Sequence, residues 1–389
     1  MYINRSLDIN TLLADRSLFL LGPRQSGKSS YIREQLEPPP ALTYNLLDHK
    51  LLLYILADPT ILRQEIEARD LEQCIVCVDE IQKCPALLDE VQLLIEERGI
   101  RFLLTGSSAR KLKKSGTNLL GGRARRRIMH SFSYSEIKDT EFTLEKIMKR
   151  GTLPPHYLSK DPDEDLDAYV NLYLTEEIAA EGLARNLPGF ARFLQTTAAV
   201  NTQIINYTNI GNNAQLPRQT VKLWFEVLKD TLLGFNLEPY TKTEKRKSIE
   251  TAKFYFFDMG VVASLRRLSS ISPGSADFGE FFEHFICLEI KTWIDYRKPR
   301  TVFNYWRSTS GFEVDCLLNG KVAIEIKSTT NVSAKHLKGL KALQEEGFIE
   351  RSILVCREPR PQLVDGIEIL PWKYFLEELW EDRILKETA

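Results

Sequence analysis

Eight consecutive residues carry the plainest chemistry in the chain. Gly22-Pro23-Arg24-Gln25-Ser26-Gly27-Lys28-Ser29 match the phosphate-binding pattern G-x-x-x-x-G-K-[ST] in full, between the apolar run Ser17–Leu21 and a helical stretch Ser29–Leu36. In that setting the glycines let backbone N–H groups close on a phosphate oxygen and the helix presents its positive end. Lys28 can reach the outer phosphates, the Ser29 hydroxyl can ligate Mg²⁺, and Ser30 completes the contact set. A second half-site makes hydrolysis an expectation. Cys74-Ile75-Val76-Cys77-Val78 has the character of a strand buried on both faces and ends in Asp79-Glu80. Asp79 is placed to hold the Mg²⁺ through water, and Glu80 to act on the attacking water as general base. A further strand, Arg101–Thr105, ends in Gly106-Ser107-Ser108. Ser107 can serve as a γ-phosphate sensor or as an N-cap, and the two roles are compatible.

A second constellation lies near the other end. The helix Phe278–Thr292 and the strand Val302–Arg307 precede two arms of alternating apolar and charged residues, Gly311–Leu318 and Lys321–Lys327. A two-residue Asn-Gly loop would set the apolar side of one arm against the polar side of the other. A three-residue loop, Leu318-Asn319-Gly320 with Leu317 opposite Lys321, puts the apolar residues on one face and Asp315, Glu325 and Lys327 on the other. Two carboxylates for a hard cation and a lysine to orient water suit metal-assisted phosphodiester hydrolysis, with Glu283 on the preceding helix able to complete the set and a second Mg²⁺ or Mn²⁺ as the ion. A charged solvent face on an edge hairpin is the plainer alternative.

Between the two sites the pattern turns helical. Val221, Trp224, Phe225 and Leu228 form an apolar stripe with Arg218, Gln219 and Lys222 largely off it. A short helix around Ile204–Ile210 and the break at Gln215-Leu216-Pro217 come before it. Strand-like pieces Gly234–Tyr240 and Lys253–Phe257 flank the basic residues Lys242, Lys245, Arg246 and Lys247. Helix, turn, helix and basic hairpin describe a winged helix, in which Arg218, Gln219 and Lys222 approach a DNA groove and Lys245, Arg246 and Lys247 contact phosphates. The same geometry also serves packing and oligomerisation, so a homo-oligomer is compatible with it.

These sites rest on an α/β framework. To about Ser135 the chain alternates strands (Leu18–Leu21, Leu42–Leu46, Cys74–Val78, Phe102–Thr105, Ile128–Phe132) with helices, which predicts a parallel sheet. A linker rich in proline and acids at Gly151–Asp167 divides the chain into domains at 1–150, 151–270 and 271–389. The 389 residues are 43% hydrophobic, with a formal net charge of −1. No apolar run is long enough to span a bilayer and Met1–Asn10 lacks a signal pattern, so the expected location is the cytoplasm, with no membrane partner. Six scattered cysteines give no disulfide framework, and Cys74 and Cys77 would point to opposite faces of their strand. Charge is uneven: Arg110, Lys111, Lys113, Lys114, Arg123, Arg125, Arg126 and Arg127 occur without an intervening acid, as solvated surface or as phosphate contacts.

Met1-Tyr2-Ile3-Asn4-Arg5, Leu21–Ser29, Val78-Asp79-Glu80-Ile81-Gln82, Leu104–Ala109 and Leu120-Gly121-Gly122-Arg123 together give the chain a family likeness. It resembles the bacterial and archaeal AAA-type ATPases that join a P-loop domain to a C-terminal domain of unknown function. The resemblance implies ATP as the nucleotide, and Arg123 as sensor or finger for the γ-phosphate. The tail also resembles the PD-(D/E)XK nuclease superfamily, whose helix glutamate, strand aspartate and E-x-K fall on Glu283, Asp315, Glu325 and Lys327. That likeness implies a restriction-endonuclease-like α/β fold. The resulting expectation is an ATPase that engages DNA and couples nucleotide state to a nuclease-like tail, with a nucleotide-switched DNA- or protein-binding regulator as the alternative.

Overall fold

The computed structural model describes residues 2–108, 119–170 and 186–385. By compactness the chain divides into two units, Met1–Phe132 with Asp230–Leu233, and Ser133–Lys229 with Gly234–Ala389. The segments read from the sequence as middle and tail domains fall in the same unit.

The first unit is built on strands β1 (Ser17–Leu21), β2 (Leu42–Asn45), β3 (Ile75–Asp79), β4 (Arg101–Gly106) and β5 (Ala124–Ile128), all parallel, in the order β2-β3-β4-β1-β5. Every residue of β1 and β3 is buried, which is why both read as unbroken apolar runs. Helices α1 (Asn10–Asp15), α2 (Lys28–Glu34), α3 (His49–Ala57), α4 (Ile61–Ala68) and α5 (Leu87–Arg98) connect and cover the strands. Leu87, Leu88, Val91 and Leu94 of α5 join Val76, Val78, Phe102 and Leu104 in one core. Each such side chain contributes about 1.5–3 kcal/mol on burial. That surplus lets the strand ends carry the buried polar groups of the site. The fifth strand differs from expectation: it lies four residues earlier than Ile128–Phe132 and contains Arg125, Arg126 and Arg127. β5 is an edge strand, only partly buried, so arginines can leave the sheet there, and Arg125 pairs with Asp15 at 3.4 Å.

The second unit contains α6 (Leu187–Ala199), α7 (Tyr207–Ala214), α8 (Arg218–Asp230), α9 (Ala276–Arg297), α10 (Lys338–Gln344) and α11 (Trp372–Trp380). Its sheet comprises β6 (Gly234–Pro239), β7 (Lys253–Phe256), β8 (Phe303–Arg307), β9 (Glu313–Leu318), β10 (Val322–Ile326), β11 (Arg351–Cys356), β12 (Gln362–Val364) and β13 (Ile367–Pro371). The strand order is β12-β13-β11-β10-β9-β8-β6-β7. Phe190 and Phe193 of α6 meet Trp224 and Phe225 of α8 edge-on, and Phe225 continues to Phe254 of β7. Along the chain α7, a turn, α8 and the β6–β7 hairpin follow one another in the expected order. The hairpin is not a free wing, because β6 pairs in parallel with β8 and so extends the tail sheet.

The β9–β10 turn corrects the expected register. Leu318 pairs with Val322 and Leu317 with Ala323, so the loop is 319–321. Asn319 and Gly320 both have positive φ, 52° and 68°, and Lys321 N–H donates to the Leu318 carbonyl at 2.9 Å. The Asn-Gly pair forms the turn and Lys321 is the extra residue. Relative to the expected pairing the second arm slides by two residues, and an even slide keeps every side chain on its face. β9 and β10 are inner strands of the sheet, not a solvent-facing edge hairpin.

Candidate functional site

At the carboxyl end of β1 the chain turns into the phosphate loop. A Cβ at Gly22 would collide with the Met129 carbonyl, so only glycine lets the loop lie this close to the exit of β5. Gln25 and Gly27 take positive φ, 64° and 96°. Lys28 is buried, and its Nζ donates to the Gly22 carbonyl at 2.7 Å and to that of Pro23 at 3.0 Å, folded back along the loop. Arg24, Gln25 and Ser29 are exposed, while Pro23 and Ser26 are buried. The fit to a bound phosphate and Mg²⁺ rests on two observations. Ser26 Oγ is buried with no hydrogen-bond partner, and Ser29 Oγ donates to Asp79 Oδ2 at 3.1 Å, which sets two hard oxygen ligands side by side.

Glu80 follows Asp79 in the left-handed region, φ 62° and ψ 44°, which turns its side chain away from the strand direction. Thr105 on β4 hydrogen-bonds Asp79 Oδ1 through its hydroxyl, and the same Oγ1 accepts from Glu80 N–H at 3.3 Å. Gln82 Nε2 donates to Glu80 Oε2 and, at 3.2 Å, to Ser107 Oγ. The expected base and the expected sensor are thus brought together on one amide. Any helix beginning after Ser108, together with Arg110, Lys111, Lys113 and Lys114, lies outside the described residues.

Arg123 is placed elsewhere. β1 and β5 run in parallel with Ser17 beside Ala124 and Leu21 beside Ile128, so Arg123 sits at the amino end of the sheet, opposite the phosphate loop. At about 3.3 Å per residue that is roughly 13 Å of strand away from the loop. Its guanidinium pairs with Glu96 at 2.6 Å. Arg123 is therefore not the sensor of its own loop.

Arg5 is a site residue to which sequence reasoning gave no role. It is 5% exposed, and its guanidinium donates to the carbonyls of Ser26 at 2.6 Å, His130 at 2.7 Å and Ser131 at 3.2 Å. The opening motif thereby ties the phosphate loop to the segment leaving β5.

In the second unit, Asp315 and Glu325 are 3% and 6% exposed, so the charged face is internal. Lys327 Nζ lies 2.6 Å from Glu325 and 3.4 Å from Asp315. Lys253 of β7, which sequence reasoning missed, reaches Glu313 at 2.7 Å, Glu283 at 3.2 Å and Asp315 at 3.7 Å. Tyr255 donates to Glu283 at 2.7 Å. Burial pulls the Lys253 ammonium down, but Glu283, Asp315 and Glu313 outweigh it and hold the lysine well above its ordinary value. Burial would raise Asp315, yet Lys327, Lys253 and the Ile326 N–H keep its carboxyl below the usual range. Glu325 is pushed up to about 8 by burial and by Asp315, against the pull of Lys327.

The four expected residues converge, but with two ammonium groups among the carboxylates. Among the described residues, no three His, Cys, Asp or Glu side chains are grouped so as to hold one metal ion. Glu325 Oε2, buried without a hydrogen-bond partner, is the one feature that suits an ion. As built, the cluster does not fit the second Mg²⁺ or Mn²⁺ expected from the sequence, because lysines neutralise the carboxylates that would bind it.

The basic residues separate as well. Lys245 N–H donates to Glu346 at 2.9 Å, its ammonium meets the Glu345 carbonyl, and Arg246 pairs with Glu345 and bonds the Ala342 carbonyl at 2.9 Å. Lys242 and Lys247 are exposed. On α8, Arg218, Gln219 and Lys222 are exposed, with Lys222 over the Tyr207 ring at 5.5 Å.

Comparison with known families separates the modules. Residues 14–138 match the model of an AAA domain. The first unit carries an AAA-type P-loop ATPase domain. Residues 141–272 and 278–375 match two domains of unknown function, DUF8612 and DUF4143. No curated protein matches the chain. Among solved structures, the Aeropyrum pernix ORC1 protein in complex with DNA aligns at 10% identity over 69% of this chain and 93% of its own, with a TM-score of 0.28. Can2 from Sulfobacillus thermosulfidooxidans, in complex with cyclic tetra-adenylate, aligns at 11% identity over 96% and 98%, with a TM-score of 0.19. No described helix is long and apolar enough to cross a membrane.

Proposed function

We propose that this AAA-type chain hydrolyses ATP with Mg²⁺ and uses the nucleotide state to regulate its hold on nucleic acid, through modules at 1–150, 151–270 and 271–389. The observation that carries the ATPase reading is the convergence of Lys28, the Ser29–Asp79 pair, Glu80 and Ser107 at the carboxyl ends of β1, β3 and β4. Bound Mg·ATP supplies the electrophilic phosphorus and the metal charge. With Mg·ATP bound, Lys28 would exchange the Gly22 and Pro23 carbonyls for outer phosphate oxygens, Ser29 and Asp79 would hold the metal, and Glu80 would orient water and take its proton. Ser107 reads the γ-phosphate. Arg123 can act as a finger only on a second copy of the chain, which makes a homo-oligomer part of the reading. Nucleic acid is assigned to the exposed Arg218, Gln219 and Lys222 of α8 in preference to Lys245 and Arg246, because Arg246 is paired with Glu345 and Glu346 and the Lys245 ammonium is bonded to the Glu345 carbonyl.

The tail admits two readings. Convergence of Glu283, Asp315, Glu325 and Lys327 favours a nuclease, whereas Lys253 among them favours a regulator without cleavage. We take the second, because a resident buried ammonium neutralises the site without an ion. Three measurements test the whole: ATPase rate with single-stranded, duplex and branched DNA; DNA affinity with ATP against ADP; and cleavage with Mg²⁺ or Mn²⁺. A rate and affinity indifferent to DNA and nucleotide would sink the coupling, and metal-dependent cleavage would reinstate the nuclease.

A further inference from the structure

Gln82 belongs to no phosphate-loop or metal function, yet it touches both residues assigned to the water and the γ-phosphate. Its two N–H bonds are fully committed, one to Glu80 Oε2 and one to Ser107 Oγ at 3.2 Å. The orientation of the amide is fixed by chemistry, since the reverse would set its oxygen against the Glu80 carboxylate. Its own Oε1 is buried with no hydrogen-bond partner, and a Cβ on Gly106 would collide with it. A buried amide oxygen left without a partner is destabilising. The side chain thus makes its bonds on one side only, toward Glu80 and Ser107, and is seated by a glycine at the end of β4.

We infer that Gln82 is a positioning residue for hydrolysis, holding the Glu80 carboxylate and the Ser107 hydroxyl at one fixed spacing on the γ-phosphate side of the site. This rests on the ATPase reading and adds to it the element that makes base and sensor a single unit. Glu80 sits in the left-handed region at a strand end, and the Gln82 amide is the side-chain partner of its carboxylate. Removing the amide releases it to wander, and small misplacement of a base in phosphoryl transfer is costly because the chemistry depends mainly on positioning.

A residue kept for stability and one kept for positioning are told apart by whether kcat falls in protein that is still folded. Gln82→Leu deletes an unpartnered oxygen but also the amide donor to the buried Glu80 carboxylate and Ser107 hydroxyl, so the protein is expected to stay folded with a modestly lower melting temperature. The substitution should lower kcat about 10²-fold with KM for Mg·ATP, and affinity for a fluorescent ATP analogue, within twofold of wild type. Gln82→Asn, one methylene short of bridging both partners, should not rescue. In a cycle with Ser107→Ala the losses should be strongly non-additive, because both variants break the same unit. Gln82→Met provides the same test should the leucine variant fail to fold. A wild type that hydrolyses ATP alongside an equally active Gln82→Leu or Gln82→Met would overturn this inference alone. Additive losses in the cycle, or a kcat loss that disappears when both proteins are assayed well below their melting temperatures, would overturn it too. A wild type that binds Mg·ATP without turnover would remove the ATPase reading and this one with it.

Discussion

Arg5→Leu offers the sharpest test of how the phosphate loop is held. The guanidinium is buried, makes bonds of 2.6, 2.7 and 3.2 Å to three backbone carbonyls, and lies 5.1 Å from the centre of the Phe132 ring. Hydrogen bonds from a charged donor are worth about 1.5–3 kcal/mol each, and a stranded buried carbonyl costs about 1–3 kcal/mol. The three bonds share one side chain and so do not add, and leucine recovers part of the apolar contact. A net loss of about 3–5 kcal/mol follows. At roughly 3 °C per kcal/mol for a domain of this size, the transition of the first unit should fall by about 10–15 °C. Arg5→Lys keeps the charge but not the fork, and should lie between. Because one bond goes to Ser26 inside the loop, Kd for Mg·ATP should rise at least tenfold, and saturating nucleotide should restore part of the melting temperature, about 2.7 kcal/mol at 100 times Kd. Calorimetry with and without Mg·ATP, together with nucleotide titration, measures both. A variant melting within 2 °C of wild type and binding nucleotide equally would refute the reasoning.

Glu80→Gln should keep ATP affinity and lose most turnover, whereas Lys28→Ala loses both; equal loss of binding in the two would undo their assigned roles. A finger acting between copies predicts that mixing inactive Arg123→Ala and Lys28→Ala proteins restores part of the ATPase rate, and a mixture as inactive as its parts would rule this out. Arg218→Ala with Lys222→Ala should weaken DNA binding alike across sequences and reduce the salt slope by about 2, while Lys245→Ala with Arg246→Ala should change it little; the reverse result would restore the hairpin as the contact. In the second unit burial raises Glu289 to about 8, Glu280 to about 7 and Asp258 to about 6, and lowers His284 to about 4. The three raised carboxyls hold protons that the unfolded chain releases, so the stability they give below their unfolded values is lost as pH climbs to about 8. His284 works the other way and gives its stability above the ordinary value of 6.5. The melting temperature of that unit should therefore fall between pH 6.5 and 8, and less so in Glu289→Gln; a flat profile would contradict the assignment.

The parts legible in the sequence were those written in consecutive residues. The phosphate loop, the run ending in Asp79-Glu80 and the stripe of α8 each announce themselves through local spacing, and the structure has an element at each. What stayed hidden was set by distant strands. β5 could not be located from apolarity because an edge strand tolerates Arg125, Arg126 and Arg127, and Arg123, given a γ-phosphate role by the family resemblance, is seen to lie at the amino end of the sheet only once β5 is placed at Ala124–Ile128. Gln82 and Arg5 gave no signal by type; each acquires a role through partners on other elements, Ser107 after β4 for one and His130 after β5 for the other.

The tail cluster shows how one missed residue changes a chemical conclusion. Alternation of charged and apolar residues was enough to put Asp315, Glu325 and Lys327 on one face, and a slide by two residues left that result intact. On four carboxylates, Glu283, Glu313, Asp315 and Glu325, and Lys327 alone, a divalent cation would be the natural remaining charge. Lys253 enters from β7, a strand that sequence assigned to another module, because β6 pairs with β8 and carries its hairpin onto the tail sheet. The pairing delivers a buried ammonium to Glu283, Glu313 and Asp315. Removing one partner of a buried ion pair leaves the other uncompensated, a loss of about 3–5 kcal/mol. Lys253→Met should therefore lower the melting temperature of wild type in chelator and recover part of the loss with Mn²⁺, while wild type is indifferent to the ion. If wild type is itself stabilised by Mn²⁺, Lys253 is not the resident cation, and the cluster is a metal site after all.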